Sequence, residues 1–135
     1  MTLLQVHIVT ASAWLGLVAA ETVMELSGRD AASRRLIAQI HRRIDILFEG
    51  PLVALVLVSG AVLLSRAWPA SPLLLTKVGS GMIGVIANAF CIPWVLARAK
   101  TVDDVKIQAL TRKIAATGFA IPFGLAALGL GLYGA

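Results

Sequence analysis

Charged residues are scarce in this chain. They make up 14% of its 135 residues, whereas 59% of the residues are hydrophobic. An ordinary soluble domain contains about 25% charged residues, and a soluble chain of this length is too short to bury so much apolar surface in its own core. The composition therefore predicts a protein that is surrounded by a lipid bilayer.

Cysteine pairs and several enzyme motifs are also absent. The only cysteine, Cys91, cannot form a disulfide or a CxxC pair within one chain. The sequence contains no nucleophile elbow and no phosphate loop, so hydrolase and nucleotide-dependent functions have no support and no catalytic residue is assigned. The net charge of +5 comes from basic residues in short connections between apolar runs. Basic residues in this position set the orientation of helices in the membrane, and they do not form a patch that would bind nucleic acid.

Four apolar runs are long enough to cross a bilayer, which requires about 20 mostly apolar residues per helix. They lie at about 3–26, 44–65, 73–97 and 114–133. We expect residues 1–135 to form one all-α integral membrane domain. The first run is expected to be a retained helix, because it lacks the basic start of a signal peptide and contains Trp14, Glu21 and Glu25.

Basic residues predict the direction of these helices. Lys and Arg are enriched in connections that face the cytoplasm. We therefore expect an antiparallel up-down four-helix bundle in a bacterial-type cytoplasmic membrane, with both termini on the non-cytoplasmic side. Residues 30–43 are predicted to form an amphipathic helix that leads into the second span. Ten of the twelve basic residues lie in the first and third connections: Arg29, Arg34, Arg35, Arg42, Arg43, Arg98, Lys100, Lys106, Arg112 and Lys113.

Small residues are frequent in the third and fourth spans. In lipid, small side chains let neighbouring helices approach closely. The pattern predicts either close packing within one bundle or a homodimer contact. The residues concerned are Gly79, Ser80, Gly81, Gly84, Ala87, Gly118, Gly124, Gly129 and Gly131.

Ionisable residues inside the apolar runs are the strongest functional signal. Such a group costs a few kcal/mol in hydrocarbon and normally faces a partner or a cavity. Those in spans one and two repeat every four residues, so each set forms a stripe on one helix face. Facing stripes of this kind build metal centres in four-helix bundles, and oxygen with imidazole ligands suits Fe, Mn or Zn. The predicted metal ligands are Glu21, Glu25, His41, Asp45 and Glu49.

Distance limits the predicted metal site. His41 and Glu49 are eight residues apart, which is about 12 Å along a helix. We therefore expect one ion with two or three adjacent ligands, two neighbouring ions, or a ladder along which cations or protons step. Asn88 and Cys91 are predicted to reach the same depth. In the alternative, Glu25, His41 and Asp45 lie at the headgroup level as solvated anchors that pair with Arg29, Arg42 or Arg43.

His7 and Lys77 form a second set, near the external ends of spans one and three. His7 precedes Glu21 by fourteen residues, about 21 Å of helix, so we expect it to lie outside the metal cluster. His7 is a candidate axial ligand to a haem between helices, or an ordinary hydrogen-bonded residue. Lys77 is a candidate second cofactor contact, or it extends to the headgroups.

Short motifs around these residues resemble two groups of small bacterial membrane proteins. The resemblance covers spans one to three and consists of His7, Trp14-Leu15-Gly16, Arg43, Pro51, Gly60 and Leu75-Thr76-Lys77. These motifs are similar to those of the haem-binding protoporphyrinogen oxidases of the HemJ type and of the copper-resistance CopD domain. The resemblance implies a helical bundle with His7 and Lys77 near haem b or a metal.

The leading hypothesis is a membrane protein that binds a transition-metal ion at the cytoplasmic end of spans one and two. The ion would serve redox chemistry or metal handling. Three alternatives stay open: a haem b oxidoreductase that uses His7, a small proton-coupled or cation transporter, and a structural subunit of a larger membrane complex.

Overall fold

Four continuous helices make up the chain in a computed structural model that describes residues 1–133, with side chains described through Gly131. The apolar spans are helix 1 (Leu3–Ser27), helix 2 (Ala31–Arg66), helix 3 (Pro72–Lys100) and helix 4 (Asp104–Gly131), and each is long and apolar enough to cross a membrane. The last α-helical segment continues to Tyr133. The predicted all-helical class is confirmed, and the four helices fit a multi-pass membrane protein. Residues 134–135 of the predicted domain lie outside the described residues.

Each helix begins at a polar residue whose side chain accepts hydrogen bonds from backbone N–H groups of the first turn. The four N-caps are Thr2, Asp30, Ser71 and Asp103. Caps of this type stabilise a helix start by about 1 kcal/mol. Helices 2 and 4 therefore begin 13 and 10 residues before the predicted spans 44–65 and 114–133, at Ala31 and Asp104. Hydropathy marked only the part of each helix that is apolar enough to lie in lipid.

Helix packing places helix 1 at the centre of several contacts. Helix 1 packs against the Gly50–Arg66 part of helix 2 and against helix 4, while helix 3 packs against helix 4 and against the Ala31–Ile44 part of helix 2. A Cβ atom at Gly124 would lie 2.8 Å from Leu15 Cδ1, so a larger residue here would require the Leu15 side chain to move. At this position, the small residue serves packing within the chain.

Helix 2 contains a π-helical segment, Asp45–Glu49, between its two α-helical parts. The Gly50 N–H donates to the Asp45 carbonyl, five residues earlier. Pro51 explains the change, because proline has no N–H and its ring clashes with the carbonyl four residues before it. Such segments are rare and frequently occur at functional sites. This one lies in the stretch that carries two of the predicted metal ligands.

An exposed ion pair joins helix 2 to the start of helix 4. Arg35 Nη2 lies 2.9 Å from Asp104 Oδ1, and about half of each side chain is exposed. We expect Arg35→Ala to lower the free energy of unfolding by at most about 1 kcal/mol, because water screens exposed pairs. Thermal unfolding of the detergent-solubilised chain, in a double-mutant cycle with Asp104→Ala, measures this contribution. A coupling well above that value would contradict the prediction.

Candidate metal centre

The five predicted metal ligands lie together in the interior of the helix bundle. Each is only 2–4% exposed. Glu21 and Glu25 come from helix 1, His41 from the first part of helix 2, and Asp45 and Glu49 from its π-helical segment. Within the described part of the chain, none of them forms an ion pair with Arg29, Arg42 or Arg43. The alternative of solvated anchors paired with those arginines is therefore wrong.

Four of these residues converge on one point. One ligand atom from each of Glu21, His41, Asp45 and Glu49 lies within 4.8 Å of the other three. Two ligands on opposite sides of one ion are about 4 Å apart, since each metal–ligand bond is roughly 2.1 Å long. The four groups can thus hold one metal ion after small side-chain movements. Helical spacing allowed one ion only two or three adjacent ligands, whereas the structure brings ligand atoms of four groups together. The π-helical segment and the long glutamate side chains account for this convergence.

Glu25 is held differently from the other four. Arg98 Nη1 donates to Glu25 Oε2 at 2.5 Å, and Arg98 Nη2 donates to Glu25 Oε1 at 2.6 Å. Arg98 is 1% exposed, and its Nη1 also donates to Thr111 Oγ1 at 3.0 Å. Bidentate pairs of this kind are among the strongest charge-assisted hydrogen bonds. The structure therefore pairs Glu25 with a guanidinium and leaves the other three carboxylates without one.

The hydrogen bond to Glu25 determines which nitrogen of His41 is free. His41 Nδ1 lies 2.5 Å from Glu25 Oε1. Glu25 is an acceptor towards Arg98, so we assign the ring proton to Nδ1, which donates to the same carboxylate. His41 Nε2 then carries the lone pair, and it lies 3.4 Å from Asp45 Oδ1 and 3.7 Å from Glu21 Oε1. A histidine that ligates a metal through one nitrogen normally donates its other N–H in this way.

Glu49 is fixed by two neutral donors on one of its oxygens. Trp14 Nε1 donates to Glu49 Oε1 at 3.2 Å, and Asn88 Nδ2 donates to the same atom. Both bonds orient the carboxylate and leave Oε2 available to a ligand. Asn88 thus reaches the depth that was predicted for it. Cys91 is also buried, but it packs with Val95 and Ile114 in an apolar cluster.

Several buried oxygens of the cluster have no hydrogen-bond donor among the described residues. These atoms are Glu21 Oε1, Asp45 Oδ1 and Asp45 Oδ2. A buried carboxylate that is neither paired nor hydrogen-bonded costs several kcal/mol. Three carboxylates and one imidazole nitrogen therefore face a common point, where bound protons or a cation must neutralise them. A divalent cation satisfies this requirement with oxygen and nitrogen ligands that Fe, Mn and Zn accept.

Arg98 is the part of the site that the sequence-based prediction did not include. It was grouped with the basic residues of the third connection, whereas the structure buries it inside the bundle. The available signal was its spacing, because Asn88, Cys91, Val95 and Arg98 follow one another at three or four residues and form the buried face of helix 3.

His7 and Lys77 lie towards the other end of the bundle interior. His7 Nδ1 lies 2.9 Å from Ser59 Oγ, and Ser59 Oγ donates to the Leu55 carbonyl at 2.5 Å. Because the hydroxyl has one proton, His7 Nδ1 is the donor to Ser59, and His7 Nε2 carries the lone pair. Both predicted cofactor residues line a cavity of about 560 Å³ that also reaches Glu21, His41 and Glu49. The two predicted sets are thus separate groups on one cavity.

Comparison with known proteins gave no match to this chain among family models, curated proteins or solved structures.

Proposed function

We propose that this chain is an integral membrane protein that holds one Fe, Mn or Zn ion through Glu21, His41, Asp45 and Glu49. The observation that carries the proposal is the convergence of their four buried ligand atoms within 4.8 Å. The unpartnered oxygens of Glu21 and Asp45 support it independently, because they lack the donors that buried carboxylates need. Even a doubly protonated His41 would balance only one of the three carboxylates.

Glu25 acts in this proposal as a positioning residue and not as a ligand. Its oxygens accept hydrogen bonds from Arg98 and from His41. It therefore fixes the orientation of the imidazole, so that His41 Nε2 points towards Asp45 and Glu21. Partners of this kind contribute roughly 10–100-fold to metal affinity.

The site belongs, in this proposal, to an antiparallel up-down bundle with its metal centre at the cytoplasmic end. The enrichment of Lys and Arg in the first and third connections supports this orientation. It places both termini on the non-cytoplasmic side of a bacterial-type cytoplasmic membrane. Fusion of a reporter enzyme to the N-terminus, active only outside the cytoplasm, tests the orientation.

If the ion is Fe or Mn, which change oxidation state whereas Zn does not, redox chemistry fits the centre better than metal transport or transfer. A transport site must release its ion, whereas these ligands are fixed by hydrogen bonds to Trp14, Asn88 and Glu25. The adjoining cavity is lined mainly by apolar side chains, which offer no ligands to a moving cation. Four protein ligands also leave coordination positions free on a six-coordinate Fe or Mn ion.

Metal content tests the proposed function. We expect the protein purified in detergent to contain about one transition-metal ion per chain by elemental analysis. After chelation, added Mn²⁺ should bind with a changed electron paramagnetic resonance spectrum, because three carboxylates and an imidazole suit this ion. Protein that contains no metal and fails to rebind Mn²⁺, Fe²⁺ or Zn²⁺ would contradict the proposal.

Haem b at His7 is a second candidate function, favoured by the lone pair of His7 Nε2 on the cavity wall. Neutral imidazole is a common axial ligand of haem. If haem is bound, the purified protein shows a Soret band that His7→Ala removes and His41→Ala leaves in place. A colourless preparation, still colourless after incubation with hemin, rules this function out.

A further inference from the structure

We propose that the interior cavity binds a single-chain fatty acid, with its carboxylate at Lys77 and its hydrocarbon chain directed towards the metal centre. The binding site itself is independent of the metal. The statement about the direction of the chain rests on the proposed function, since it places the chain end beside the bound ion.

The lining of the cavity fits a hydrocarbon chain. Its volume of about 560 Å³ lies in the range of pockets that hold one small organic ligand, roughly 300–1,000 Å³. Leu15, Val18, Val85 and Ile121 are among the apolar side chains that line it. Apolar cavities do not hold ions and commonly stay dry. An elongated apolar molecule therefore fits this space better than a row of waters or cations.

The two ends of the cavity carry opposite charge. Lys77 lines one end, and the acidic residues that line the cavity, Glu21, Glu25 and Glu49, belong to the metal cluster. The structure describes all seven acidic side chains of the chain, and none of them forms an ion pair with Lys77. An ammonium group within an apolar helix normally has an anionic partner. A ligand carboxylate supplies that partner.

The Lys77 side chain lies against Gly131 in the last part of helix 4. A Cβ atom at Gly131 would lie 2.6 Å from Lys77 Nζ and 3.0 Å from Lys77 Cε. Glycine at this position therefore lets the lysine lie along helix 4. In this position Lys77 lines the cavity. A lysine that only extended to the headgroups would not need to do so.

The length of the cavity allows a chain to reach the metal cluster. Lys77 and Asn88 are eleven residues apart on helix 3, which corresponds to about 16 Å. Asn88 donates to Glu49, so the far end of the cavity adjoins the ligands. A ligand with one carboxylate at Lys77 and one extended hydrocarbon chain along helix 3 would fill the cavity from one end to the other. The proposed ligand is therefore a fatty acid and not a two-chain phospholipid.

Binding of palmitate to delipidated, metal-free protein tests the site. We expect about one palmitate per chain, and about tenfold weaker binding in Lys77→Met, because one charge-assisted contact is lost. Lys106→Met, at an exposed position, is the matched control and should bind palmitate as the wild type does.

Hexadecanol, which has no carboxylate, should bind the wild type and Lys77→Met equally. Equal palmitate affinity in Lys77→Met and wild type, or displacement of palmitate by equimolar phosphatidic acid, would overturn the proposal, as would a stoichiometric Soret band.

Spin-labelled stearic acids in Mn²⁺-loaded protein test the direction of the chain. A nitroxide near the methyl end should be broadened by Mn²⁺ more strongly than one near the carboxylate. Glu49→Gln, which is expected to lack Mn²⁺, should remove the difference. Stronger broadening near the carboxylate would overturn the proposed direction. If palmitate binds through Lys77 but the protein takes up no metal, the proposed metal function fails and the fatty-acid site stands.

Discussion

Replacement of His41 by alanine is expected to lower metal content from about one ion per chain to below about a tenth. The substitution removes the Nε2 lone pair that faces Asp45 and Glu21 at 3.4 and 3.7 Å. It leaves three carboxylates, which bind a transition metal less tightly and less selectively than a mixed site does. Glu49→Gln keeps the size of the side chain and is expected to produce a similar loss. Elemental analysis and Mn²⁺ titration measure both effects.

His7→Ala is the matched control for His41→Ala, because these are the two histidines of the chain and His7 contacts Ser59 instead of the cluster. Its metal content should equal that of the wild type. Glu25→Gln tests whether Glu25 is a ligand or a positioning residue. If it only positions His41, the variant should bind the metal ion roughly 10–100-fold more weakly, and the site should still fill completely at high metal concentration. Unchanged metal binding in both His41→Ala and Glu49→Gln would disprove the assigned ligands.

Replacement of Arg98 by methionine is expected to destabilise the fold by about 3–5 kcal/mol, the typical result of removing one partner from a buried ion pair. Arg98 and Glu25 are both buried, at 1% and 4% exposure. Glu25 loses two of its hydrogen bonds in this variant, and its charge stays in the interior. We expect a clearly lower melting temperature in detergent and faster proteolysis.

The double variant Arg98→Met/Glu25→Gln distinguishes charge from packing. It removes both charges while keeping side chains of similar size, so much of the lost stability should return. Arg43→Met, at an exposed position, should leave the melting temperature nearly unchanged. If the single and double variants unfold at the same temperature, the loss of stability in Arg98→Met does not come from the unpaired charge of Glu25.

The helices could be predicted from the sequence because apolar runs and N-caps are local properties. The runs identified four helices, and Asp30 and Asp103 mark starts that lie outside the apolar windows. Hydropathy alone gave starts that were too late for helices 2 and 4, because it does not register a helix that continues into polar connections. The amphipathic pattern at 30–43 did predict the first part of helix 2, which the structure has at Ala31–Ile44. Orientation in the membrane is a prediction from the basic residues.

The ligand stripes could also be predicted, because their period of four places them on one helix face. The convergence of His41 with Glu49 could not, since it depends on a change of helical pitch. Gly50 and Pro51 were the visible cause of that change. The partner of Glu25 lies 73 residues away on helix 3, and no local pattern in helix 1 specifies such a contact.

The π-helical segment also sets the rotational phase between the two halves of helix 2. One residue in a regular α-helix corresponds to about 100° of rotation. The π-helical turn takes up one additional residue, so the two halves of the helix keep an alignment that a regular α-helix of the same length would not have. The first half of the helix presents His41 to the metal ligands, while the second half presents Ser59 to His7. If the same residues formed a regular α-helix through 45–49, one of these faces would rotate by about 100° away from the bundle. Both ends of the cavity therefore depend on the same local irregularity.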